Sequence, residues 1–420
     1  MLQTLANAFR TPELRRKIGF VLAMLLVYRV GSYIPSPGVS VDALKEFQGQ
    51  FNQGDILGFL NLFSGGSLSR LSLFALGIMP YITASIILQL LTVVSPTLEQ
   101  LSREGEVGQQ KITQYTRYLT VGLAAAQSFG YVMLFKSQGD TSAITNTKFG
   151  NLMLIVVSLT AGTVLLMWIG ELITQRGVGN GISLLIFASI VSGLPGGLSA
   201  WWNSTDQIFK LMMPFIALGV VVAVVFIQEG QRRIPVQYAK RQVGRKMTQG
   251  GSTYLPLRVN MAGVIPIIFA ASIMAFPPTI ATLIQAPWAQ SIANFFNPNG
   301  TAYIVGECLF IIMFTYFYTA VTFNPREQAD NLKKYGGFIP GVRPGLPTAE
   351  YLDRILARLT FPGSLYLAAV AAFPMILINQ TGAGFFFGGT SLLIAVGVAL
   401  DTMKQLEAQL QMRNYEGFLN

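Results

Sequence analysis

Gly77-Ile78-Met79-Pro80-Tyr81-Ile82 lies in an apolar run and returns, glycine and proline in place, as Gly263-Val264-Ile265-Pro266-Ile267-Ile268. Ala84-Ser85-Ile86 follows the first copy. Ala271-Ser272-Ile273 follows the second, after one extra residue. A second pair keeps the same order: Gly181-Ile182-Ser183-Leu184-Leu185-Ile186 and Gly389-Thr390-Ser391-Leu392-Leu393-Ile394. One apolar match arises easily by chance; two at the same separation carry more weight. Apolar runs lie near 18–34, 74–94, 118–135, 151–173, 182–195, 211–228, 261–283, 302–323, 361–378 and 389–403. Each repeated segment therefore returns five runs later. Five is odd, so if every run crosses a membrane, the second half enters from the opposite side. The expectation is an all-α membrane protein of ten transmembrane helices, in two inverted halves about an axis in the membrane plane.

Composition agrees. The 420 residues are 52% hydrophobic and only 11% charged, where a soluble domain carries roughly 25% charged residues. Lipid-facing positions do not carry charge cheaply, and ten spans of about 20 residues each would use about half the chain. There is no histidine, which removes Ser-His and Cys-His catalysis, HExxH zinc sites and histidine haem ligation. No GxxxxGK[ST] phosphate loop occurs. Cys308, the single cysteine, permits no intramolecular disulfide and reads as packing. Arg15, Arg16 and Lys17 precede the first run but no A-x-A site follows it, so no cleavable signal peptide is expected. No enzyme activity, metal or cofactor is expected.

Lysine and arginine set the orientation. With a cytoplasmic N-terminus, 23 of the 29 basic residues fall on the cytoplasmic side and 5 outside, with Arg29 in the first span. Both ends are expected inside. The organisation reads as an N-terminal segment 1–17, a half 18–195, an external connection 196–210, a half 211–403 and a tail 404–420. Two cytoplasmic loops, 229–259 and 325–359, hold 7 and 6 of the basic residues. Topology alone explains such loops; so does an electrostatic dock for an acidic partner or RNA phosphates.

Segment 35–73 lies outside, yet its end, Phe59 to Leu68, is apolar, glycine-broken and too short to span. A re-entrant half-helix in a protein cavity fits, as does a surface amphipathic segment. Short or Gly/Pro-interrupted segments in corresponding positions point to the central pathway of an inverted repeat. Four isoleucines match between the copies: Ile82, Ile268, Ile186 and Ile394. Ile78 and Ile182 lie one turn from Ile82 and Ile186 and share their faces. These six side chains are expected to converge as an apolar ring; ordinary helix packing is the alternative. No carboxylate pair sits mid-span for ion coupling and no charged ring marks an ion filter. A small-solute transporter and a membrane-embedded enzyme are both disfavoured. An aliphatic ring gates by dewetting and deforms around a bulky, varied substrate.

The chain resembles the SecY family of protein-translocase channel subunits over nearly its whole length. The resemblance is carried by Phe63-Ser64-Gly65-Gly66, Leu76 to Ile82, Gln114-Tyr115-Thr116-Arg117-Tyr118, Gly177 to Ser183, Tyr238 to Gln242, Val259 to Pro266, Asn324-Pro325-Arg326-Glu327, Asn331 to Lys334, Gly341 to Gly345 and Phe387 to Ile394. It implies a passive conduit for unfolded polypeptides in a bacterial inner membrane, with transmembrane segments leaving sideways into lipid. The six isoleucines match the pore ring. The segment about 60–73 matches the plug, with Leu60, Asn61, Phe63, Ser64, Gly65, Gly66, Leu68 and Arg70. Spans two and three against seven and eight match the lateral gate, where Thr83, Gln127 and Asn260 take the polar positions. Hydrogen bonds there are expected to be worth only about 1 kcal/mol each. Lys240, Arg241, Arg245, Lys246 and Arg343 match contacts to the ATPase motor SecA or the ribosome. Lysine at 246 replaces a frequent arginine, which keeps the charge and loses the bidentate fork. The implied partners are SecE, SecG, SecA, the ribosome, signal sequences and secretory chains, YidC, SecDF and membrane lipids.

Overall fold

The computed structural model describes residues 9, 11–40, 61, 63–137, 144, 148–202, 207–238, 241–243, 246–248, 251–283, 291, 295–296, 300–381 and 389–416. Every expected span coincides with a helix. In chain order these are α1 (Pro12–Gly31), α2 (Met79–Val94), α4 (Glu106–Ser137), α5 (Phe149–Arg176), α6 (Gly181–Trp202), α7 (Gln207–Glu229), α8 (Ile265–Leu283), α9 (Thr301–Thr322), α11 (Leu346–Thr381) and α12 (Gly389–Glu416). Two short helices are interposed, α3 (Pro96–Arg103) and α10 (Pro325–Lys334). Among the described residues five helices are long and apolar enough to cross a membrane on their own: α5, α6, α7, α9 and α11. The bent pair α2–α3, turning by 100°, makes a sixth. α8 counts as a shorter apolar helix over Ile265–Met274, and α4 and α12 carry polar turns, Gln109–Arg117 and the tail after Asp401.

Local chemistry sets where helices begin. Asn180 starts α6: its Oδ1 accepts the amides of Ile182 (3.0 Å) and Ser183 (3.3 Å). Asn324 does the same for Arg326 (3.1 Å), with Pro325 at the first helical position. α2 and α8 begin alike. Gly77 (φ 59°) and Gly263 (φ 64°) both take the left-handed conformation, and Pro80 and Pro266 follow three residues later. In the first turns Ile82 N donates to Ile78 O at 3.1 Å and Ile268 N to Val264 O at 3.3 Å. The sequence repeat is thus also a repeat of backbone geometry.

One large apolar cluster joins α1, α2, α5, α6, α8, α9, α11 and α12. Apolar side chains also crowd the outside. On α7, Leu211, Phe215, Leu218, Val222 and Phe226 form one exposed stripe, as a lipid-facing helix requires.

The two basic loops are built, not open. Strand β1 (Gln231–Tyr238) pairs antiparallel with β4 (Ser252–Arg258) and with β5 (Gly337–Phe338), giving the order β4-β1-β5. A separate hairpin, β2 (Arg241–Val243) with β3 (Lys246–Thr248), sits between them in sequence. Both loops therefore share one sheet. Ile234 and Val236 alternate inward on β1 while Arg232 and Arg233 stay exposed. They pack with Leu257, Ile339, Leu352, Ile355 and Leu356 in a second core. The last three belong to α11, whose start at Leu346 falls well inside the expected loop 325–359.

Gly77→Ala forces a side chain into the left-handed region and should cost about 1–2 kcal/mol. Gly122→Ala on α4, where an added Cβ meets nothing within 4 Å, should be neutral or slightly stabilising. Melting temperatures of the detergent-purified variants check the contrast.

Candidate functional site

The two copies of the repeat meet. Ser272 of α8 donates to its own Ile268 carbonyl at 2.7 Å, and its Oγ lies 3.9 Å from Met79 Sδ at the start of α2. Both residues are buried. α2 packs on α8, α8 on α12 and α12 on α6, so the four helices that carry the matched isoleucines form one continuous set. Ile78, Ile82, Ile186, Ile268 and Ile394 are each between 0% and 4% exposed. All five belong to the large apolar cluster, and half-buried Ile182 packs against it. None of the six faces lipid.

The segment before α2 folds as tight turns from Ser64 to Gly77, with helical conformation at Asn61 and Phe63. Gly65 (φ 67°) and Gly66 (φ 81°) stop any helix there. Side chains replace the missing helical bonds. Ser64 Oγ donates to Asn61 O (3.0 Å) and accepts from Leu68 N (3.1 Å); Asn61 Oδ1 accepts from Ser69 N (2.9 Å). Phe63, Ser64, Gly65 and Leu68 are buried. Arg70 reaches back to the Tyr33 ring, 4.2 Å from its centroid, a cation–π contact. Leu60 lies outside the described residues.

The gate's polar residues do not bond to one another across α2 and α8. Thr83 Oγ1 donates to Met79 O of its own helix (3.0 Å), and Asn260 Nδ2 to Gly263 O (3.0 Å). Asn260 Oδ1 is buried without a partner, and Gln127 is half-buried on α4. A side chain on a helix meets its own preceding carbonyls first, so the buried contact that crosses is Ser272 with Met79. Sequence reading missed that pair, although both residues sit inside the repeated segments. It also missed a bidentate ion pair. Arg117 Nε and Nη2 donate to Glu171 Oε1 (2.8 Å) and Oε2 (2.7 Å), tying α4 to α5. The Glu171 hydrogen bonds push the Arg117 pKa further up. Two opposite charges at the same cytoplasmic span edges were the available signal.

In the basic loops, Arg241 lies on β2 and Lys246 on β3; Lys240 and Arg245 lie outside the described residues. Arg343 is exposed just before α11, where its carbonyl accepts Thr348 Oγ1 at 2.8 Å. Among the described residues no three acidic, cysteine or histidine side chains group as a metal site.

Comparison with known proteins speaks to this arrangement. The SecY family profile matches residues 72–403. The chain belongs to the SecY family. A protein translocase subunit SecY from Streptomyces scabiei is 49% identical over 100% of both chains. The fold is that of a solved protein-conducting channel (TM-score 0.63, 18% identity, 93% of this chain and 91% of that one). It also matches Sec61 in the canine ribosome-channel complex (TM-score 0.59, 19% identity, 93% and 91%). As a SecY-family member the chain is a multi-pass membrane protein and a translocase channel subunit, not an enzyme.

Arg117→Ala should lower the stability of the α4–α5 contact by about 1 kcal/mol, since Arg117 is 43% exposed and water screens the pair. Arg117→Lys should recover only part, because an ammonium does not match the two-oxygen fork. Melting temperatures in detergent check both.

Proposed function

We propose that this chain is the pore of a bacterial inner-membrane translocase, passing unfolded secretory polypeptides across and releasing transmembrane segments through a lateral gate. The observation that carries the reading is the meeting of the two inverted repeats at Met79 and Ser272, with the matched isoleucines buried beside it in one apolar cluster. Ile78, Ile82, Ile182, Ile186, Ile268 and Ile394 form the constriction. Branched aliphatic side chains expel water and ions when nothing is bound. They offer a passing chain neither charge nor hydrogen bonds, so substrates of any sequence slip through.

The turn-rich segment 61–73 is the plug on the external side. α2 and α4 face α8 and α9 across the gate. The Met79–Ser272 contact is weak, so an inserting apolar helix displaces it easily. Both termini are cytoplasmic, in keeping with the distribution of basic residues. The sheet β4-β1-β5 joins the two basic loops that carry Arg343 and the β2–β3 hairpin, and supports reading those loops as one cytoplasmic platform. That platform docks SecA or the ribosome by charge. The chain holds no phosphate loop, so the motor or ribosome supplies the work. SecE and SecG complete the complex, and YidC and SecDF join it in handling clients.

Replacing Ile82, Ile186, Ile268 and Ile394 together with serine should raise ion conductance of the reconstituted complex severalfold at rest. Conductance equal to wild type would refute the constriction. Arg343→Glu should cut SecA- or ribosome-driven transport into vesicles at least severalfold, and most at low salt, while the melting temperature stays within error. Normal transport would leave this charge a topological role alone.

A further inference from the structure

The Ser64–Gly65 turn is held from one side of the molecule. Tyr28 on α1 places its hydroxyl 3.2 Å from the Ser64 carbonyl oxygen and 2.6 Å from Ser189 Oγ on α6. Ser189 has one hydroxyl proton for two acceptors, the Tyr28 hydroxyl and the Leu185 carbonyl at 2.9 Å, while the Tyr28 proton reaches the Ser64 carbonyl. The next residue, Arg29, donates from Nη1 to Gly65 O at 3.0 Å and from Nη2 to Tyr33 Oη at 2.9 Å. Arg29 and Arg70 both stack on the Tyr33 ring, at 4.8 and 4.2 Å. Ser192 of α6 lies 3.4 Å from the same Gly65 carbonyl. The approach is so close that a Cβ on Gly65 would stand 2.9 Å from Tyr28 Oη and 3.3 Å from Ser189 Cα. Below the turn the chain is clipped again: Ser36 N donates to Leu71 O and Leu73 N to Ile34 O, both at 2.9 Å.

Each of these partners precedes residue 196 and so belongs to the N-terminal half. The gate contact of Ser272 with Met79 lies elsewhere, between the halves. Drawing α8 away from α2 breaks none of the bonds to Ser64, Gly65, Leu71 or Leu73. We propose that release of the 61–73 segment is a step separate from parting of the gate, and that Tyr28 and Arg29 are positioning residues that set its threshold. The proposal rests on reading this segment as the plug. A membrane segment leaving sideways then needs the gate alone. A chain crossing to the far side must also break the Tyr28–Ser64 and Arg29–Gly65 bonds.

Ser67 gives a reporter. It is 0% exposed and its hydroxyl has no partner among the described residues, so Ser67→Cys breaks no hydrogen bond seen there. In a Cys308→Ser background it is the only thiol. The full complex in sealed vesicles is treated from the external face with a membrane-impermeant maleimide, and ion leak is measured in parallel. Tyr28→Phe, which removes one oxygen, and Arg29→Gln should each raise the labelling rate and the leak about tenfold, the loss of one buried, partly charge-assisted bond. Ser272→Ala should leave labelling unchanged. Unchanged labelling in both Tyr28→Phe and Arg29→Gln would overturn the latch and leave the plug reading standing. Faster labelling without more leak would overturn the plug reading, and the proposal with it. A Ser272→Ala effect as large as that of Tyr28→Phe would overturn the separation of the two steps.

Discussion

A backbone amide or carbonyl inside a bilayer has no water to bond, so wherever the helix is broken the protein must supply partners. Residues 61–78 are the place where this constraint bites hardest. Left-handed Gly65, Gly66 and Gly77 end regular helix there, and the freed groups are taken up by Asn61, Ser64, Tyr28 and Arg29. The side chains of α1 and α6 are in turn fixed by this duty. Arg29 shows why a charged residue is kept at the end of a membrane helix: it spends its donors on a carbonyl and a tyrosine rather than on an acid.

The same constraint shapes the gate. Thr83 and Ser272 turn their hydroxyls to the carbonyls one turn back on their own helices, which leaves α2 and α8 joined across the interface by sulfur and hydrocarbon. Contact of this kind has no directional bonds to break, so the two helices can part and rejoin at little cost. Stronger polar bonds sit away from the seam. Arg117 with Glu171 holds α4 to α5 within one half. Lys404 with Glu229 at 3.0 Å holds α12 to the end of α7 within the other. These two ion pairs lie within the halves, and the α2–α8 contact between the halves carries none among the described residues.

Outside the membrane the logic reverses. Water satisfies backbone groups, and a loop rich in arginine would ordinarily stay open. Here alternation of Ile234 and Val236 with Arg232, Arg233 and Gln237 makes a strand with one apolar face. The lower part of α11 covers that face. Arg232 and Arg233 are thereby carried on a sheet that leads into α8 through β4 and packs on the start of α11.

Much was legible in the sequence because membrane insertion is decided residue by residue along the chain. Apolar run length, the distribution of lysine and arginine, and a repeat five runs apart need no knowledge of neighbours. They were enough for the helices and their order. Periodicity also hid some things. The strands of 229–259 were passed over because their apolar residues are few and flanked by charge, and no local pattern shows that Gly337–Phe338, far along the chain, joins β1 as a third strand. The bonds Tyr28–Ser64, Arg29–Gly65, Arg117–Glu171 and Met79–Ser272 were likewise unreadable. Each joins residues 36 or more positions apart, and hydrogen bonds depend on ångström-scale approach that composition and spacing do not encode. The sequence by itself determined which segments form the long apolar helices. Only tertiary packing decided which side chains meet there, and so which contacts hold and which give way.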